Sequence, residues 1–441
     1  MGHQSKLSPN GAVSETLTGR LFSVFADARC AVSDLEWILE RIDSGLTRSR
    51  VPLDSVREVG CRLGVLSPAN RAVVIGGTNG KGSTAVALEA VLVASGLRVG
   101  TALSPHLHRV NERIRLDGRE ASDSQIEASL REVVSFQKGS SLTYFDCLVL
   151  ASLVLFHRHS LDCIVLEVGL GGRLDATNVV DADVAAITNV SLDHVETLGT
   201  DRESIGREKA GVFRAGRPVV IGEPHPPRSV IQRIEALDCP FHLHTRDFSA
   251  TRAGSNLAIQ FTSERGKQSV RVHGAATLDL QSVATAVQAA TCVMGEPSRA
   301  AIRAGASARL IGRWEKIRAL GRRWLLDCAH NANAIERIAL RVDEQFADDS
   351  VLGLFHCKPQ KDAGAMLDSL VRVCEAVHLA CIGQGDEQRM CALACRSSKF
   401  SVASIEQAVR ILIDSSTSND LILVCGSFEL VSRIRRALIV G

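Results

Sequence analysis

The stretch at residues 72–84, A-V-V-I-G-G-T-N-G-K-G-S-T, constrains the fold more than any other part of the chain. Val73, Val74 and Ile75 form a short apolar run that predicts a buried strand, and residues 85–92 have helical spacing. A strand, a glycine-rich turn, a lysine, a hydroxyl and a helix, in that order, are what a phosphate cradle needs. Glycines let backbone N–H groups close around phosphate oxygens, and the helix start adds partial positive charge. Lys81 would place a charge on the outer phosphates, and Ser83 or Thr84 would offer a hydroxyl to Mg²⁺. The match to the usual P-loop is imperfect, because Gly82 stands between the lysine and Ser83. A glycine turn that merely closes a strand–helix unit is the alternative.

The rest of the chain repeats the strand–helix alternation. Residues 35–42 and 53–63 predict amphipathic helices ahead of the cradle, and residues 1–15 are polar enough to predict disorder. Apolar strands are expected at 98–102, 162–168, 184–190 and 218–222, with long helices at 142–157 and 278–293. Between about 241 and 273 alternation suggests short antiparallel strands. Gly295-Glu296-Pro297 reads as a linker, beyond which a second series of strands appears at 324–327, 351–355, 377–380 and 421–426. Strands apolar on both faces that alternate with helices predict a parallel, doubly wound sheet. Functional groups should then gather beyond the carboxyl ends of its strands. The cradle, Ser104, Glu167 and His194 all fall at such ends. The expected fold class is therefore α/β, a P-loop parallel-sheet ATPase domain over 1–295 followed by a smaller doubly wound α/β domain over 298–441.

Composition excludes several functions. With 441 residues and a formal net charge of +2, nothing argues for nucleic acid or an acidic membrane surface. Aromatics are only 4%, so no stacking platform is visible and the cores must be aliphatic. The 13 cysteines are odd in number and lack a C-x-x-C pair, which predicts reduced thiols in a reducing compartment. No secretory signal or membrane-spanning run is evident, so a cytoplasmic protein is expected.

Several side chains could carry chemistry. Glu167 ends an apolar strand, where an unpaired carboxylate is costly and a metal ion or lysine would satisfy it; capping a helix is the alternative. His194 follows Asp193 at another strand end and could join Glu167 and a loop hydroxyl around Mg²⁺, or be a structural imidazole. Lys209 lies at an expected helix end and could equally be a solvated charge. Asp327 and His330 stand three apart just past a strand, with Arg313 upstream; they face a ligand or cap the next helix.

The motifs resemble those of the folylpolyglutamate synthase/dihydrofolate synthase family, a branch of the Mur-type ATP-dependent amide ligases. They are G-T-N-G-K-G-S-T at 77–84, S-P-H-L at 104–107, N-E-R-I-R at 111–115, E-V-G-L-G-G-R-L-D-A-T-N at 167–178, L-D-H at 192–194, R-E-S-I-G-R-E-K-A-G at 202–211, G-R at 312–313, D-C-A-H-N at 327–331, K-D at 361–362 and C-G-S-F at 425–428. They occur in the family's order and span nearly the whole chain. Residues 142–145 and the run at 202–209 are most similar to the bacterial bifunctional members, which add glutamate to dihydropteroate and to reduced folates. The resemblance implies that Gly77, Thr78, Asn79, Gly80, Lys81, Gly82, Ser83 and Thr84 hold ATP. It implies one Mg²⁺ on Ser83, Ser104 and Glu167, and a second held with His194 and a carbamylated Lys209. Arg313 and Asp327 would contact ATP and His330 would lie near the incoming glutamate, so the catalytic set would be Lys81, Lys209 and His330. The implied substrates are ATP, dihydropteroate, reduced folates and L-glutamate, handled by a monomer. Three positions depart from the family: Ser282 stands where an adenine-contacting Asn is usual, Cys328 replaces a glycine, and Cys357-Lys358-Pro359-Gln360 precedes the K-D pair. A peptidoglycan-type Mur ligase and a non-catalytic nucleotide-binding protein are the competing readings.

Overall fold

The computed structural model describes residues 51–137, 142–274, 276–383 and 385–440. The helix expected at 35–42 and the disorder expected at 1–15 lie outside them. Two compact units are present, one ending at Leu310 and one beginning at Ile311.

In the first unit α1 (Leu53–Leu63) precedes β1 (Ala69–Gly76), and α2 (Lys81–Ala94) follows the glycine turn. Next come β2 (Val99–Ala102), β3 (Ile114–Leu116), β4 (Arg119–Glu120), α3 (Asp123–Phe136), α4 (Tyr144–Arg158), β5 (Leu161–Glu167) and β6 (Val184–Ile187). A short α5 (Val195–Leu198), α6 (Arg202–Lys209), β7 (Val219–Ile221), α7 (Arg228–Ala236) and β8 (Phe241–Leu243) complete an eight-stranded sheet in the order β4-β3-β2-β5-β1-β6-β7-β8. From β2 to β8 every pairing is parallel. Phe241–Leu243 thus corrects the antiparallel expectation for that segment, since it extends the parallel sheet beside β7. The antiparallel strands begin later, as β9 (Ser249–Ala253), β10 (Asn256–Ser263) and β11 (Gly266–His273) in a separate sheet.

Alternation along β1 shows why the sheet is apolar on both faces. Val74 packs with α4 side chains such as Leu150, whereas Val73 and Ile75 pack with Leu88 and Val91 of α2. Both aliphatic layers are therefore needed to cover one sheet, as expected for a parallel architecture.

The expected linker at Gly295-Glu296-Pro297 instead joins two helices of one unit, α8 (Leu280–Met294) and α9 (Arg299–Ala306). Helix α9 lies directly on α2: a Cβ on Gly305 would stand 2.5 Å from Val91 and 3.1 Å from the Ala87 carbonyl. The change of unit therefore falls at 310/311, later than the punctuation suggests.

The second unit comprises β12 (Glu315–Ala319), β13 (Arg322–Leu326), α10 (Ala332–Phe346), β14 (Val351–Phe355), α11 (Ala363–Leu370), β15 (Ala376–Cys381), α12 (Asp386–Ala394), β16 (Phe400–Ser404), α13 (Ile405–Ser415), β17 (Leu421–Cys425) and α14 (Phe428–Val440). Its six-stranded sheet runs β12-β13-β17-β14-β15-β16, parallel except for β12. Among the described residues no helix is long and apolar enough to cross a membrane.

Candidate active site

The glycine turn after β1 is held from behind by the loop that follows β6. Thr78 N–H donates to the Asn189 carbonyl at 2.9 Å, and Asn79 N–H to Asn189 Oδ1 at 2.8 Å. Thr78 Oγ1 donates to the Ser191 carbonyl and accepts from Ser191 N–H, each at 3.1 Å, and Thr188 Oγ1 donates to the Asn79 carbonyl at 2.6 Å. Gly77, at φ +140°, has no room for a side chain, since a Cβ would stand 1.8 Å from Thr188 Oγ1. The amides of Thr78 and Asn79 thus fix the turn's shape. The N–H groups of the first α2 turn have no partner within the helix by geometry, and they form the anion-facing end.

Glu167 ends β5 directly beside Ile75 of β1 and is buried. Its Oε2 accepts from Ser104 N–H at 2.8 Å, which joins the S-P-H-L segment to the cradle. A Cβ on Gly82 would lie 3.2 and 3.4 Å from the Glu167 oxygens. This close approach explains the glycine that separates Lys81 from Ser83: a larger residue there would press on the carboxylate. Ser83 and Thr84 are buried at the same helix start, and Thr84 Oγ1 has no hydrogen-bond partner. A carboxylate, serine hydroxyls and an orphaned threonine oxygen are donor types suited to Mg²⁺, which takes few protein ligands and completes its shell with phosphate oxygens and water.

Lys209 closes α6 and is only 3% exposed. Its Nζ donates to the Gly77 carbonyl at 2.8 Å. Burial, then the nearby Lys81 charge, bring its pKa down from 10.5 to about 7, with Asp193 and Asp175 pulling the other way. About half of the amine is therefore neutral at pH 7. Lys81 Nζ reaches the Thr78 carbonyl at 3.2 Å. His194 adopts a left-handed backbone (φ 50°) ahead of α5, with its Nε2 4.0 Å from Asp193 Oδ1 and about half of its side chain exposed. Asp193, given no role from the sequence, is one of the two acids, with Asp175, whose field reaches Lys209.

The segment after Ser104 is organised by Glu112, whose carboxylate accepts from the N–H groups of Leu107, His108 and Arg109 at 2.6, 2.8 and 2.9 Å. Arg113 donates to His106 Nδ1 at 2.8 Å and lies 5.8 Å from the Tyr144 ring centroid. Burial and Arg113 hold His106 near pKa 4, hence neutral.

In the second unit Asp327 follows β13. Its Oδ2 accepts from Trp314 N–H at 2.8 Å and its Oδ1 from Ala329 N–H at 2.9 Å. Burial raises its pKa against the opposing pull of Arg313. Phe428 lies between Arg313, 4.8 Å from its ring centroid, and His330, whose ring is 5.6 Å away. His330 Nδ1 pairs with the Cys328 carbonyl at 2.9 Å. Capping of α10 falls to Asn331 rather than to Asp327 or His330. Asp362 of the K-D pair caps α11. Asn189, Thr188 and Glu112 were not singled out from the sequence, and only their position at strand and loop ends could have flagged them.

The Mur ligase middle domain matches residues 75–273, and the Mur ligase glutamate ligase domain matches residues 312–428. The dihydrofolate synthase/folylpolyglutamate synthase of Escherichia coli is 38% identical over 404 residues, covering 88% of this chain and 91% of that protein. The chain belongs to the dihydrofolate synthase/folylpolyglutamate synthase family. Among solved structures of that family, E. coli FolC in complex with DHPP and ADP superposes with a TM-score of 0.84 at 35% identity, covering 93% of this chain and 98% of that one. A bifunctional folylpolyglutamate synthase/dihydrofolate synthase with Mn, AMPPNP and L-glutamate bound gives 0.83 at 36% identity, covering 93% and 99%.

Proposed function

We propose that this protein is an ATP-dependent ligase that adds L-glutamate to dihydropteroate and to reduced folates, working in the cytoplasm. The observation that carries the reading is the joining of three strand ends at one place: the cradle after β1, Ser104 after β2 and Glu167 at the end of β5. An acceptor carboxylate is a poor acylating agent at neutral pH. Its oxygen attacks the γ-phosphorus of ATP, the bond to the β-phosphate oxygen breaks, and ADP and an acyl phosphate result. The α-amine of glutamate then attacks the acyl carbon, loses a proton, and expels inorganic phosphate to leave the amide.

Lys81 and the amides at the start of α2 neutralise charge on the transferred group. Gly77, Thr78, Asn79, Gly80 and Gly82 shape the cradle around the phosphates. Ser83, with Thr84, Ser104 and Glu167, would hold one Mg²⁺, and His194 with Lys209 a second. Bound there, Mg²⁺ supplies Lewis-acid charge neutralisation at the phosphoryl oxygens. Arg313 and Asp327 serve the nucleotide and His330 the glutamate. Lys209 acts as its N-carboxylate. Carbamate formation requires the neutral amine, which the buried environment provides. Incubating the protein with ATP, Mg²⁺, glutamate and either dihydropteroate or tetrahydrofolate, with mass analysis of the products, tests the reading. One added glutamyl residue on each acceptor is expected, and no mass change on either would overturn it.

A further inference from the structure

We propose that Arg202 and Glu223 form a positioning clamp for the nucleotide cradle, acting through the single residue Val190. The inference rests on the cradle being the ATP site. Arg202 is the first residue of α6, and Glu223 follows β7. Arg202 Nε donates to the Val190 carbonyl at 2.8 Å, and Glu223 Oε1 accepts from the Val190 N–H at 2.9 Å. The two side chains meet through Arg202 Nη2 and Glu223 Oε2 at 2.7 Å, and the same Nη2 donates to the His225 carbonyl at 2.8 Å. Both backbone groups of one buried residue are thus held by one ion pair.

Val190 stands between two of the residues that bind the cradle, Asn189 and Ser191. Asn189 takes the amides of Thr78 and Asn79, and Ser191 exchanges hydrogen bonds with Thr78 Oγ1. Helix α6 adds a second link. Its first residue grips Val190, and its last, Lys209, donates to the Gly77 carbonyl. This eight-residue helix, about 12 Å long, is therefore fastened to the cradle region at both ends.

The pair is poorly suited to a role in stability alone. Burial drives the Glu223 carboxyl up to about 7 in spite of Arg202, so keeping it ionised costs the fold free energy. What the pair supplies is geometry: one hydrogen bond on each side of Val190, the carbonyl held by a guanidinium fork that a lysine cannot reproduce and the N–H held by the carboxylate paired with it.

The test uses the full chain as wild type, Arg202→Met, Glu223→Gln and the double variant. Binding of a fluorescent ATP analogue is titrated, and KM is measured separately for ATP, glutamate and the pteroate acceptor, dihydropteroate. Each single variant should weaken nucleotide binding about tenfold, the scale seen for groups that orient a binding shell from behind. The KM for glutamate and for pteroate should stay within twofold. The double variant should be no weaker than either single one, because the two side chains act as a unit. Glu223→Gln is near-isosteric and should melt at the wild-type temperature or above at pH 8. Wild-type nucleotide affinity in both single variants, or equal increases in all three KM values, would overturn the clamp while leaving the ligase assignment intact. Failure of the wild-type protein to bind the analogue would overturn the ligase reading and the clamp with it, and a Glu223→Gln variant that does not fold would make the pair structural.

Discussion

Replacing Lys209 by methionine should change how stability depends on pH, in a direction fixed by burial. The Nζ is carried into a site 3% exposed, and its pKa falls from 10.5 to about 7. At about 1.4 kcal/mol per pH unit, that difference corresponds to roughly 5 kcal/mol between the charged and neutral forms. Below pH 7 the lysine is protonated both folded and unfolded, and the folded state bears the full cost. Between pH 7 and 10.5 the unfolded chain holds a proton that the folded chain has released, so stability rises with pH through this window. Methionine fills similar volume without a charge, and it leaves the Gly77 carbonyl short of one donor, a loss of about 1–2 kcal/mol that does not vary with pH. The observable is therefore the slope. Wild type should gain about 2.3 kcal/mol relative to Lys209→Met between pH 7 and 9, the slope being half its limit at pH 7 where the folded lysine is half titrated. Urea unfolding in CO₂-free buffer, followed in the transition of the larger unit, measures it. Parallel pH profiles for the two proteins would refute the claim that Nζ is desolvated.

Lys81→Ala should lower kcat/KM for ATP by about a hundredfold or more, as loss of a transition-state charge does, with no change in the urea midpoint; normal turnover would exclude the lysine from phosphate binding. Glu167→Gln should raise the Mg²⁺ concentration for half-maximal rate by about tenfold or more, and a Mg²⁺ titration matching wild type would rule the residue out as a ligand. Lys209→Ala should be nearly inactive and regain part of its rate with added acetate, whereas Lys209→Arg should stay inactive; near-normal activity of the arginine variant would show that the residue works as a cation and not as a carbamate.

The parallel sheets were legible because β1, β5 and β6 must be apolar on both faces, and few other structures use such runs. Strand β8 was not, since Phe241–Leu243 is three half-buried residues whose partner is set by β7 rather than by its own pattern. The unit boundary was hidden for a related reason. Glycine and proline at 295–297 report a turn, but only the packing of α9 on α2 shows to which unit the next helix belongs. In the site, the strand-end rule located Ser104, Glu167 and the cradle. It gave no hint of Asn189, which spends its side chain on the turn's backbone, or of Glu112, whose role appears only once three amides converge on it.

If the cradle drives glutamate addition to a pteroyl acceptor, phosphate release must depend on that acceptor. Purified protein is supplied with ATP, Mg²⁺ and glutamate, and phosphate is followed with dihydropteroate, with tetrahydrofolate and with no acceptor. Release should stand well above background with each acceptor and stay at background without one. Equal rates in all three would contradict it.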